Sequence, residues 1–185
     1  MAISINGNGI TSTEIVDGSI QPNDLAQKMT LMTAQNATGT SVDFTGIPSW
    51  AKRITVMFNE VSTSGSSVLC GLVGDGVIVN TGYKGGTIAS GVGGSPGGIA
   101  NVNGCNLTYS STTAATYKYT GKMTLELTSN NTWIINSNII NTISISSVVS
   151  STVVALISTL DRIRITTVNG TDLFDAGSIN VMYEG

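Results

Sequence analysis

The sequence predicts an all-β fold: an antiparallel, jelly-roll-like β-sandwich preceded by a short extended or helical N-terminal anchor. Three observations lead there. Gly, Ser, Thr and Asn make up 85 of the 185 residues. Ile and Val together outnumber Leu by 36 to 10. Several short segments alternate apolar and polar residues with a period of two. β-Branched side chains fit a pleated, half-buried surface, and Gly and Asn supply the positive φ angles of tight turns.

Residues 1–36 stand apart from the rest. Ile10, Ile15, Ile20 and Leu25 recur every five residues, interrupted by Asp17-Gly18 and Pro22, which matches the period of neither helix nor strand. Such a segment cannot cover its own apolar side chains, so it is expected to lie against identical neighbours or another protein. Within it, NDLAQKMTLMTA (23–34) has the pattern of two or three helical turns, with Asn23 or Asp24 as N-cap.

Residues 37–185 read as the β domain. In KRITVMFNEV, Ile54, Val56 and Phe58 share one face and Arg53, Thr55, Met57 and Asn59 the other. The same test places Met123, Leu125 and Leu127 inside in KMTLELT, Ile163 and Ile165 in DRIRITT, and Ile179, Val181 and Tyr183 in SINVMYE. Further strands are expected in SSVLCGLV and VIVN, joined at Gly74-Asp75-Gly76, and in TWIINSNI after Asn130-Asn131. VVALI (153–157) is apolar on both faces, as expected of a strand covered on its second side by a partner subunit or an extra layer. Residues 82–104 hold nine glycines and one proline without sustained alternation, which predicts a long loop and a contact surface. With eight to ten strands and no crossover helix, an antiparallel sandwich follows.

Composition narrows function. The net charge is −3, with only eight Lys and Arg in total, and no ten-residue stretch holds three of them, so a nucleic-acid footprint is lacking. A charged fraction of 10% and a mean hydropathy of +0.24 point to apolar area hidden between subunits. The opening MAISINGNG lacks the charged and apolar regions of a secretion signal, and the longest strongly apolar run, Val153–Ile157, is too short to span a bilayer. Cytoplasmic synthesis without membrane insertion is the expectation.

There is no histidine. That excludes Ser-His and Cys-His nucleophilic pairs and leaves Cys70 and Cys105 as small core hydrophobes rather than zinc ligands. The glycines spell neither GxGxxG nor a GK[ST] step, and no cofactor or metal is implied. Asp172 and Asp175 are the closest acidic pair in sequence, but NGTDLFDAG reads as a turn in which Asn and Asp bond the backbone; it does not match the twelve-residue calcium loop. Arg53, Arg162 and Arg164 each fall on the polar side of a strand and read as a solvated or salt-bridged face. Tyr83, Lys84, Tyr109 and Tyr117, with Tyr119 nearby, are the candidate receptor or glycan contacts beside the glycine-rich stretch; core packing is the competing role of the aromatics.

Two segments, SVDFTGIPSWAKRITVMFNEVS (41–62) and LDRIRITTVNGTDLFDAGSINVMYEG (160–185), resemble the opening and closing strands of a domain of tailed-bacteriophage fibre and virion structural proteins. GNGITSTEIVDGSIQPNDLAQK is similar to the leaders that join such fibres to the particle. The resemblance implies a homotrimer without catalysis, assembled onto a virion in the bacterial cytoplasm. Its partners are then its own copies, a capsid, tail or adapter protein contacted through Ile10, Ile15, Ile20 and Leu25, and a host-surface glycan. The chain is short for a tail fibre, so tail fibre, head fibre and capsid decoration or cement protein all stay open. A carbohydrate-binding module and, behind it, a carboxylate-dependent depolymerase are the alternatives of other classes.

Overall fold

The computed structural model describes residues 27–91, 96–110 and 113–185. Among the described residues fourteen strands run in chain order: β1 Thr30–Leu31, β2 Gln35–Asn36, β3 Ser41–Thr45, β4 Arg53–Thr63, β5 Leu69–Gly74, β6 Ile78–Val79, β7 Lys84–Gly91, β8 Gly97–Asn101, β9 Cys105–Asn106, β10 Tyr119–Ser129, β11 Thr132–Asn141, β12 Ser146–Ala155, β13 Arg162–Thr167 and β14 Phe174–Glu184. No α-helix occurs among the described residues. The strands form two antiparallel sheets. The larger runs β1-β14-β4-β10-β11-β12-β7-β8, with β2 also on β14; the smaller runs β3-β13-β5-β6, with β9 on β5.

The alternating segments form the strands they predict. Ile54, Val56, Met123, Leu125, Ile163, Ile165, Ile179 and Val181 are all fully buried, while Leu127 and Tyr183 are half-buried against the core. Both sheets contribute to one apolar cluster. Gly71 in β5 shows how closely they approach: a Cβ there would sit 2.7 Å from Met123 Sδ of the opposing sheet, so the glycine admits the thioether. Asn130 and Asn131, both at positive φ, close the β10–β11 hairpin as a primed turn requires.

One level of the large sheet is bent by bulges on the adjacent strands β4 and β14. The register shifts at Ala176 in β14, and opposite Tyr119–Gly121 of β10 the extra residue lies between Phe58 and Val61 of β4, where Glu60 has φ 53. After the bulge the inward parity of β4 moves from Phe58 to Val61, which is why the alternation in KRITVMFNEV stops at Asn59.

Three expectations are corrected. The helical turns predicted for 23–34 do not form over the described part, residues 27–34: Thr30 and Leu31 pair with Tyr183 and Met182 of β14, and Met32 N–H donates to Val181 O at 2.8 Å. An open strand edge outbids a weak helical propensity. Because β2 joins the same edge, the domain boundary drawn at residue 36 falls inside the sheet. The described residues of 82–104 include a strand pair rather than one long loop, with β7 on β12 over eight residues and β8 on β7. Its inward positions Thr87 and Asn101 meet Ser150 and Thr152 of β12 in a buried hydrogen-bond network. Thr87 Oγ1 lies 2.9 Å from both Asn101 Oδ1 and Ser150 Oγ, and Asn101 Nδ2 donates to Ser150 Oγ at 2.7 Å and to Thr152 Oγ1. Polar residues on the core side erase the hydrophobic period that marks a strand.

Candidate interaction surface

The strands β10, β11, β12, β7 and β8 curl so that the face turned away from the core is concave, holding a trough of about 740 Å³. Pairing fixes its middle row: Lys122, Asn138, Val149 and Ile88 lie side by side on four consecutive strands. The next row is Thr124, Asn136, Ser151 and Gly86. Ile88 and Val149 stay 58% and 50% exposed, and Lys122 joins none of the ion pairs among the described residues. Ile134, beside Val153, and Ile140 extend the apolar character along the same face.

The sequence signal for this surface is the β-branched doublet. Ile134-Ile135, Ile139-Ile140, Val148-Val149 and Val153-Val154 each put one residue into the core and its neighbour on the opposite face. The two-sided apolar character read in VVALI extends along both strands. Its outermost residue, Ile157, is 99% exposed.

A second groove, of about 660 Å³, crosses the outside of the smaller sheet between Arg164 and Thr166 of β13 and the chain around Val102-Asn103. Arg164 is held by Asp43 through two contacts of 2.7 Å, which raises the guanidinium pKa. Asn80, Thr81 and Asn103 also line it.

The tyrosines expected at a receptor site separate. Tyr83 is 2% exposed; its hydroxyl donates to Val79 O at 3.0 Å and accepts from Val73 N–H at 2.9 Å, and burial pushes the phenol pKa up. It is a core residue and not a surface contact. Tyr117 is half-buried against the same core. Tyr109 covers Gly97, where a Cβ would come 2.5 Å from its ring. Lys84 alone lies on the trough side, in the row of Val153. Tyr119, also buried, has its phenol pKa raised by desolvation. Ile10, Ile15, Ile20 and Leu25 lie outside the described residues.

Other candidate groups are occupied structurally. Asp172 Oδ2 accepts from Ser67 N–H at 2.9 Å and Asp172 Oδ1 from Asn169 Nδ2 at 2.6 Å, a turn role. Arg53 pairs with Glu184, and Arg162 with Asp161 at 2.8 and 2.9 Å; the Arg162 bond holds the Asp161 carboxyl down at about 2. Both cysteines are buried; desolvation raises the Cys105 thiol and pushes Cys70 up to about 12. No group of three metal-ligating side chains is found among the described residues, and no helix long and apolar enough to cross a membrane occurs among them. The chain matches no family, no curated protein and no solved structure.

Proposed function

We propose that this chain is a non-enzymatic structural protein of a tailed-bacteriophage virion: a short homotrimeric fibre, on tail or head, attached through its N-terminal segment and exposing a jelly-roll-like β-sandwich to the host surface. The observation that carries this reading is the bare apolar face of the large sheet. Ile88, Ile134, Ile140 and Val149 are all more than a third exposed there on a chain with only 10% charged residues, and such a face is stable in water when copies of the chain cover it. The two segments that resemble virion proteins support the reading together, because β4 from the first pairs along most of its length with β14 from the second. Asp172 braces a turn, and Arg53, Arg162 and Arg164 are held in ion pairs with Glu184, Asp161 and Asp43.

Attachment is tested by adding the purified protein to particles that lack it. The full chain is expected to bind, and a chain shortened by residues 1–26 to remain in solution; equal binding of the two overturns the attachment. A glycan-binding role for the same domain is favoured by the second groove, where amide and hydroxyl side chains of Asn80, Thr81 and Asn103 stand beside the Arg164–Asp43 pair. A glycan array probed with the full chain tests it: specific binding lost in Asn103→Ala supports the role, and a blank array removes it.

A further inference from the structure

The large-sheet trough and one end of the molecule are complementary. That end consists of two short connections braced against each other. In the β5–β6 turn, Asp75 N–H donates to Val77 O at 3.1 Å. In the β12–β13 connection, the N–H groups of Ile157 and Ser158 both donate to Asp75 Oδ2, at 2.9 and 2.8 Å. Gly76 N–H donates to Asp161 Oδ1 at 3.0 Å, and Asp161 N–H to Gly74 O at 3.0 Å. Two carboxylates thus tie the connections into a tip that projects Ile157, 99% exposed, beside the turn carrying Val77, 68% exposed.

The trough has the opposite features. It is concave, apolar at Val149 and Ile88, and carries the Lys122 ammonium with no acidic residue in its lining. The tip is convex and apolar, and with Asp75, Asp161 and Arg162 it has one net negative charge. Resting on the trimer proposed above, we infer that the tip of each copy seats in the trough of the next, with Ile157 against Val149 and the tip's carboxylates facing Lys122. A copy cannot satisfy itself. β12 runs six residues past Val149 to Ala155, roughly 20 Å at 3.3 Å per residue, and Ile157 lies in the connection beyond that end. A concave face does not pack on its own image, so the contact is head-to-tail, the kind that closes into rings.

The experiment uses the full chain with Val149→Cys and Ile157→Cys made separately and also together on one chain; the single variants are oxidised mildly alone and as a mixture and the double variant alone, alongside light scattering of the wild type and of Ile157→Asp. Both substituted sites are exposed, and the native thiols are buried and held protonated, so they do not compete. The inference expects inter-chain disulfides in the mixture and not in either variant alone, a covalent series ending at three chains when both cysteines are on one chain, and at least a tenfold weaker association of Ile157→Asp. If the wild type assembles while the mixture gives no cross-link and Ile157→Asp keeps its mass, the trimer stands and this contact is wrong. Cross-links in either variant alone show a two-fold contact and also overturn it. A wild type that stays a single chain at every concentration defeats the trimer itself and the contact with it.

Discussion

Leu125 and Thr124 are neighbours in β10 with opposite surroundings. Leu125 is fully buried between the sheets, whereas Thr124 faces the trough. Leu125→Ala should cost about 2–5 kcal/mol, read from the urea midpoint, and Thr124→Ala less than about 0.5 kcal/mol; equal costs would mean the strand register is wrong. The thiols give a second test at this scale. With both buried and raised, neither Cys70 nor Cys105 should react with a disulfide reagent in the native protein, and both should react in denaturant. Asp161 adds a pH signature. Its folded carboxyl titrates near 2 and its unfolded one near 3.8, so its contribution is complete above the unfolded value and is lost as pH falls toward 2. Solvent screens this surface pair, so the effect is small. Asp161→Asn should therefore lower stability slightly at pH 7, and the difference should vanish near pH 2.

At the scale of elements, the bulges and polar-cored strands decide the shape of the large sheet. Gly177 has φ +89, and a Cβ there would stand 2.4 Å from the Glu60 carbonyl oxygen. Gly46 has φ +77 with nothing within 4 Å. Gly177→Ala meets both strain and clash and should cost about 1–3 kcal/mol, well above Gly46→Ala, which meets strain alone; the comparison of thermal midpoints checks the bulge. The same elements explain what could be read in advance. β4, β10, β13 and β14 were legible because isoleucine, valine, leucine and methionine alternate with polar residues there. β7, β8 and the first half of β12 were not, because Thr87, Asn101, Ser146 and Ser150 take the inward positions. Edge strands of two residues, such as β1 and β2, carry too short a pattern to register, and their partner is about 150 residues away in sequence. The trough was half legible. Its β-branched doublets are visible in the sequence, but that Lys122, Asn138, Val149 and Ile88 form one row depends on a strand order no local pattern contains. Tyr83 was misplaced for a related reason: a tyrosine next to glycines looks exposed, and only the carbonyl of Val79 and the amide of Val73 show how its hydroxyl is satisfied in the core.

At the scale of the whole molecule, the account turns on a mismatch between a well-closed core and an uncovered outer sheet face. The interior is finished by apolar packing and a hydrogen-bonded polar cluster, while Ile88, Ile134, Ile140 and Val149 face outward beside Lys122, with Lys84 in the row of Val153 and Glu126 in the row of Ile134 on the same face. Under the proposed function, copies of the chain cover this β-branched outer face. The most direct measurement is the mass of the full chain by light scattering across a dilution series in physiological buffer. The account predicts a species three times the 19.0 kDa of one chain that persists into the micromolar range; a uniform 19.0 kDa species at all concentrations would contradict it.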